Sequence, residues 1–436
     1  AYQQGKYNLT RYTYDKANHL NTVTDAAGNV TTLTYDKLGR KLTMNDPDMG
    51  NWTYAYDLAG NLIRQTDANQ KRLCFYYDEL NRLSSKYHNG TGSTACPSAP
   101  GGSWLASYYY HWTGMGRGQL KSIYGLNNNL GYNEEFTYDY RGRVTSTSRT
   151  IAGTPYILST SYDLLDRPLA LTYPGGEVVT TGYDKQVVNS LTTSSGSTTL
   201  VSNVTYNHRL EMTGVVLNNG LTQDYTYYPA SGNYRLQSAF TRYTATPNVG
   251  IWNRGYQYDP VGNITEIVMG VTGQGPETQT FTYDSLGRLK TAKAVGGPAQ
   301  YDHTSFSTDY DYNAIGNIMS LASGTAYNYT NWNSGCGTSN PPQALPHAVK
   351  QKGSDYYCYD KNGNMTKRVE GGTTYNQTFD VENRLITVSL GGSNPVTTFG
   401  YDASGQRLRT EVAPSGSPVA NDTRTVTTYP FPGYEV

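Results

Sequence analysis

The residues that could do chemistry return on a fixed spacing. Tyr14-Asp15, Tyr35-Asp36, Tyr56-Asp57 and Tyr77-Asp78 stand 21 residues apart, and the last three lead into Gly39-Arg40, Gly60-Asn61 and Asn81-Arg82. Recurrent Asp beside recurrent Arg could supply paired carboxylates or a charge-lined groove. Gly114-Met-Gly-Arg-Gly118 has the glycine count of a phosphate loop, but no helix signal follows it, so it reads as a turn. The six histidines, His19, His88, His111, His208, His303 and His347, are scattered singly and read as surface or packing residues. No G-x-S-x-G, P-loop or H-E-x-x-H is present. The strict place of each Asp and Arg within a repeated unit favours a structural role over a catalytic one. The expectation is therefore no catalytic residue, no cofactor and no metal site.

The elements that would hold these residues are short strands. In Asn29–Tyr35, residues 31, 33 and 35 share one face, and their equivalents are Trp52, Tyr54 and Tyr56, then Leu73, Phe75 and Tyr77. One face is bulky and aromatic, and the other is rich in Thr and other polar residues. That period of two marks a strand with two different sides. The Asp after each Tyr accepts hydrogen bonds from backbone N–H groups two residues on, which starts a tight turn. The Gly or Asn that follows takes positive φ, as a type I turn with a bulge requires. A second beat falls midway, at Asp25, Asp46 and Asp67. Each unit is thus a β-hairpin that buries its aromatic side only against neighbouring hairpins.

The pattern continues along the chain with looser spacing. Clear members stand at Tyr138-Asp139, Tyr162-Asp163, Tyr258-Asp259 with Gly262, and Tyr283-Asp284 with Gly287. Others follow at Tyr359-Asp360 with Gly363, Phe379-Asp380, and Tyr401-Asp402 with Gly405. Tyr312-Asn313 with Gly316 comes after Tyr283, weaker members stand at Tyr183-Asp184, Tyr206-Asn207 and Tyr228, and long loops interrupt near 89–103 and 334–346. A repeat of this size overrides a length-based division into domains, so residues 1–436 are expected to form one continuous array.

Composition agrees with a thin sheet. Hydrophobic residues make up 36% of the chain while aromatics reach 13%, mainly through 42 tyrosines, too few aliphatics to fill one thick core. Lys+Arg and Asp+Glu are equal at 34, so the basic excess of a nucleic-acid binder is missing. No apolar run approaches the ~18 residues of a membrane-spanning helix. Cys74 and Cys358 each lie an odd number of residues before a repeat tyrosine and point away from its face, while Cys96 and Cys336 lie in the adjoining loops. We expect structural disulfides Cys74–Cys96 and Cys336–Cys358, each stabilising by roughly 3 kcal/mol. Four buried free thiols are the alternative, and a zinc site lacks its C-x₂-C spacing. Disulfides would place the protein outside the cytosol.

The motif Y-D-x-x-G-[RN]-[LIV], recurring about a dozen times, resembles the signature of the RHS/YD-repeat family. So does the order Pro346-His-Ala-Val349, Tyr359-Asp-Lys-Asn-Gly-Asn-Met365 and Phe379-Asp-Val-Glu-Asn-Arg-Leu385. The resemblance implies an all-β fold, a long antiparallel strip of hairpins wound into a spiral shell or tube wall. In bacterial toxin complexes such a shell encloses a toxin, and in teneurins a related shell supports adhesion. The D-P-x-G-L-type segment at which family members cleave themselves is missing, so autoproteolysis does not carry over. The chain begins without Met and stops in strand-like sequence, and both ends read as cuts in something longer.

About 15 hairpins, or roughly 30 strands spaced ~4.8 Å, would make a strip ~145 Å long, around one turn of a ring with open edges. Open edges recruit further strands. The functional expectation is a non-catalytic scaffold, secreted or at the cell surface of a bacterium. It is read as the wall of a shell that in a longer parent would encapsulate and deliver a toxin. A self-assembling extracellular tube or filament is the alternative, and an adhesin whose tyrosine rows bind glycans is the weaker one. Its partners would be itself or the rest of a longer parent, and a toxin cargo or cell-surface glycans, with no nucleic acid.

Overall fold

A computed structural model describes residues 8–91, 95–98, 100–127, 130–195, 198–247, 249–297, 310–321, 326–337, 344–391, 395–413 and 424–436. The long loops near 89–103 and 334–346 fall partly outside these residues, and His303 wholly so. The described residues are nearly all β. They contain short antiparallel strands, with two 3-10 turns at Ala230–Gly232 and Ser334–Cys336. No helix is long and apolar enough to cross a membrane.

Within each of the three sheets a strand pairs with the next in sequence, as hairpins in series must. Val30–Tyr35 pairs with Lys41–Asp46, which pairs with Gly50–Tyr56, then Leu62–Thr66, then Lys71–Tyr77. The register slips by one residue immediately before the repeat tyrosine, between Thr34 and Tyr35, Ala55 and Tyr56, and Tyr76 and Tyr77. The same slip recurs before Tyr138, Tyr162, Tyr258, Tyr283, Tyr359, Phe379 and Tyr401. One extra residue opposite one partner is a β-bulge, and it adds local twist at the same place in every hairpin.

The turn that follows has one geometry throughout. The Asp36 N–H donates to the Arg40 carbonyl at 2.9 Å and the Gly39 N–H donates to the Asp36 carbonyl at 3.1 Å. Closing the turn forces positive φ on its fourth residue, +78° at Gly39, where an L side chain is disfavoured. Asn81, Asp166 and Asn383 take the same left-handed conformation, and so does Leu210, which sequence reasoning would not place there. The midway beats make the same closure: Gly28 N–H to Asp25 carbonyl at 3.1 Å and Gln70 N–H to Asp67 carbonyl at 2.9 Å. Asp turns therefore stand at both ends of each strand in this part of the chain.

The residues divide into two compact units, 158–311 with 318–321, and 8–157 with 312–317 and 326–436. In the first, Val204 and Ala294 are the buried hydrophobic residues among those described, so the sheet is thin. The second unit contains two runs of hairpins, one before residue 157 and one after residue 326. Most buried side chains belong to it, among them Trp52, Leu73, Leu130, Ile151, Tyr357, Tyr359 and Leu408.

Candidate functional site

The repeated Tyr, Asp and Arg form a clasp that joins each hairpin to its neighbour. Asp36 Oδ1 accepts the backbone N–H groups of Leu38 at 2.9 Å and Arg40 at 3.0 Å, and Oδ2 accepts Arg40 Nε at 2.6 Å. Asp78, Asp139, Asp163, Asp284 and Asp380 hold Arg82, Arg143, Arg167, Arg288 and Arg384 in the same way. Where Asn replaces Arg, at Asn61, Asn263 and Asn364, its amide donates to Oδ2 of Asp57, Asp259 and Asp360. At Asp15 the partner is His19, and at Asp402 the Oδ1 atom accepts Ser404 and Gln406 N–H groups. Hydrogen bonds to the ionised form hold the carboxyls of Asp36 and Asp163 below the usual carboxylate range. The backbone N–H of Arg40 does most for Asp36, and that of Arg167 for Asp163, with the arginine side chains adding to it.

Arg40, Arg82, Arg167 and Arg384 also reach forward. Arg40 Nη1 donates to the Asp57 carbonyl at 2.9 Å, and Arg384 Nη1 to the Asp402 carbonyl at 2.9 Å. The guanidinium lies over the next repeat tyrosine, Arg40 over Tyr56 at 4.9 Å, Arg167 over Tyr183 at 4.1 Å and Arg384 over Tyr401 at 5.3 Å. Arg82 does the same across a longer turn, onto Tyr110 at 4.0 Å and the Gly118 carbonyl at 3.2 Å. A planar fork with several donors suits this double duty, and a lysine does not.

The hydroxyls of most repeat tyrosines reach backward. Tyr56 Oη donates to the Lys41 carbonyl at 3.0 Å, Tyr77 to Leu62 at 3.0 Å, Tyr138 to Leu120 at 2.7 Å, Tyr258 to Leu236 at 2.9 Å and Tyr283 to Ile264 at 2.7 Å. Tyr359 reaches Val349 and Tyr401 reaches Leu385, both at 2.7 Å. The acceptor is always at or near the start of the preceding return strand. The sequence reading treated these rings as apolar bulk and missed the staple. Its signal was present in the preference for 42 tyrosines over 8 phenylalanines. Tyr14, the first of the series, is 57% exposed.

Cys74 is joined to Cys96 and Cys336 to Cys358, with Cα atoms 5.8 and 5.5 Å apart. Each bridge ties a strand to the loop beside it, and Cys74 is fully buried.

In the second unit the two runs of hairpins meet edge on edge. The midway turns of the first run face the Tyr-Asp turns of the last. The Asn69 amide donates to Asp360 Oδ2 at 2.9 Å, the Asn69 N–H to Asn362 Oδ1 at 3.1 Å, and the Asn362 amide to Asp67 Oδ2 at 2.6 Å. Lys86 Nζ lies 2.5 Å from Glu382 Oε1 and 3.2 Å from the Ala403 carbonyl, with its side chain 6% exposed. Arg149 bonds Glu134 at 2.8 Å and the Pro430 carbonyl at 2.8 Å. The buried residues Leu130, Tyr132, Ile151 and Leu408 fill the contact between them. A side chain at Gly400 would meet Leu130, and one at Gly363 would meet the Asp48 carbonyl. The length estimate left both edges of the strip open. Here complementary turns cover one edge of each run instead, so the ribbon overlaps itself within this unit.

Beside this seam, Leu345, Val349, Tyr357, Tyr359 and Met365 line a cleft of about 650 Å³, with Asp48 and His347 at its rim, 2.6 Å apart. Lys350 is buried below it, donates to the carbonyls of Tyr329, Ala344 and Leu345, and has its ammonium pKa lowered by desolvation. Among the described residues no group of three or more His, Cys, Asp or Glu could hold a metal ion.

A family model described as RHS Repeat matches residues 14–48 and 56–94, the first of the hairpins described above. These matched residues are RHS repeats. Among solved structures, the crystal structures of TcdB2-TccC3-Cdc42 and of TcdB2-TccC3 each match at 19% identity with a TM-score of 0.76, covering 97% of this chain and 23% of their own. The Tc holotoxin pore of Photorhabdus luminescens matches at 18% identity with a TM-score of 0.60, covering 98% of this chain and 21% of its own. At these identities the likeness shows the fold, and this chain spans less than a quarter of the length of those proteins. No curated protein matches.

Proposed function

We propose that this chain is a non-catalytic stretch of container wall, one continuous array over residues 1–436. In a longer parent it would enclose and deliver a toxin. The observation that carries the reading is the seam at Asp67, Lys86, Asp360 and Glu382. Turns of one course of ribbon lock onto turns of another, which is what a wall needs and a reaction site does not. The likeness to TcdB2-TccC3 across 97% of the chain supports it, as do the side chains of the repeat, which are engaged in clasps and staples. The disulfides support a place outside the reducing cytosol of a bacterium, secreted or at its surface.

The test is protease protection of the parent protein purified from its native source. The expected result is a segment beyond the repeats that survives digestion until the shell is opened by denaturant. A parent consisting of these repeats alone, or a following segment digested at once, would remove the container reading.

A further inference from the structure

Each disulfide closes a loop that carries seam contacts. Between Cys74 and Cys96, 22 positions apart, lies the strand Leu83–Thr91 with Lys86, which pairs with Glu382 across the seam at 2.5 Å. Between Cys336 and Cys358, again 22 apart, lie Leu345 and His347. The Leu345 N–H donates to the Pro47 carbonyl at 3.2 Å. Asp48 accepts the His347 N–H at 3.1 Å and lies 2.6 Å from its Nδ1. The bridged strands themselves meet at the seam. Lys71–Tyr77, which holds Cys74, starts from the turn at 67–70, and Asp355–Tyr359, which holds Cys358, runs into the turn at 360–363. Those two turns are the ones that Asn69 and Asn362 join. Both sides of the seam are therefore cross-linked within a few residues of the contact. In each bridge one sulfur is open to attack: Cys74 and Cys358 are buried, at 0% and 7% exposure, while Cys96 and Cys336 are half-buried.

We propose that the two bridges form a redox latch on the seam, opened by a small thiol of the glutathione class. A thiolate attacks Cys96 Sγ, forms a mixed disulfide and expels the Cys74 thiolate. A second thiolate attacks the small molecule's own sulfur in that mixed disulfide, so the small-molecule disulfide leaves and Cys96 is released. The two protons given up by the attacking thiols end on the cysteines, and Cys336–Cys358 follows the same course through Cys336. A cross-link acts mainly on the opened state, by limiting the conformations of the chain between its ends. With the bridges intact, letting go of Lys86, or of Leu345 and His347, gains little chain freedom. With them reduced, each opening frees a loop of 22 residues. The seam is held where disulfides persist and loosened inside a reducing cell. The latch rests on the container reading for the use of such an opening, and on the seam alone for its mechanism.

The experiment is hydrogen exchange on the oxidised full chain before and after incubation with reduced glutathione, with alkylation counting the thiols released. The reporters are the amides of Asn69, Leu345 and His347, which donate across the seam. Once both bridges are reduced, each is expected to exchange on the order of a hundredfold faster, the loop-closure effect of one such bridge. The amides of Gly250–Tyr258 and Ile264–Val271 are expected to keep their rates, and reoxidation to restore the slow exchange at the seam. Without any thiol, Cys74→Ser with Cys96→Ser is expected to speed up Asn69, and Cys336→Ser with Cys358→Ser to speed up Leu345 and His347. Seam amides unchanged after full reduction overturn the proposal. So does an equal acceleration in every hairpin, which makes the bridges general stabilisers, and so do bridges that glutathione leaves oxidised in the folded protein. A parent with no enclosed segment would remove the container and leave these rates as they are, whereas an unresponsive seam removes the latch and leaves the container.

Discussion

Glu382→Ala tests the seam through residues nearly 300 positions apart. The substitution removes the carboxylate 2.5 Å from the Lys86 ammonium, which also donates to the Ala403 carbonyl at 3.2 Å and sits on a side chain only 6% exposed. Removing one member of a buried ion pair costs on the order of 3–5 kcal/mol, because the other charge stays desolvated. Glu382 is 18% exposed and water reaches its position, so the lower end, about 3 kcal/mol, is the expected loss. Lys86→Met should cost less, since Glu382 keeps its ion pair with Arg384 at 2.8 Å. The double variant Lys86→Met with Glu382→Leu replaces a charged contact by an apolar one and should return to within about 1 kcal/mol of wild type. The assay is hydrogen exchange at the amides of Leu83–Thr91 and Leu385–Leu390, read as local opening free energies. The two strands should lose protection together in each single variant and regain it together in the double. Additive losses, with no coupling between positions 86 and 382, would refute the seam.

Three further outcomes follow from the clasp. Tyr401→Phe removes the hydroxyl that donates to the Leu385 carbonyl and should cost about 1 kcal/mol; Phe379→Tyr should restore a missing staple and raise the melting temperature, and no change in either direction would leave the hydroxyls without a structural role. Replacing Cys74 and Cys96 together by Ser opens a loop of 22 residues and should lower stability by about 3 kcal/mol, with an unchanged denaturant midpoint contradicting it. Melts against pH should show an acid loss. Asp36 and Asp163 have folded pKa values below their unfolded ones, so the unfolded chain binds more protons. Their stabilisation is present above about pH 4 and is lost as pH falls through the depressed folded values. At the alkaline end Tyr108, pushed to about 12 by burial, contributes stability below about pH 10 that disappears as pH rises through 12. A melting temperature that rises between pH 5 and 2.5 would contradict the acid half.

Much of the fold was legible because each hairpin states its own geometry. Alternation in Val30–Tyr35 gave the strand, Asp36 gave the turn, and Gly39 gave the left-handed residue that closes it. The cysteine pairs were legible for the same local reason. What sequence alone could not give is what lies across hydrogen bonds between units. The forward reach of Arg40 to Asp57 and the backward reach of Tyr56 to Lys41 depend on which strand lies alongside. The seam is harder still. Asn69, Lys86, Asn362 and Glu382 are ordinary polar residues in their own hairpins, and they acquire a role only when two distant runs come together. Leu210 shows the limit from the other side: the turn dictates its conformation against its own preference.

The central claim is that turns near the beginning of the chain lock onto turns near its end. Asn69 and Asn362 touch across that seam, with the Asn69 N–H 3.1 Å from Asn362 Oδ1. An Asn69→Cys, Asn362→Cys variant, oxidised mildly and digested without reduction, measures it directly. The account predicts a peptide pair linking positions 69 and 362, beside the two native disulfides. Full alkylation of both new thiols in the folded protein would contradict it.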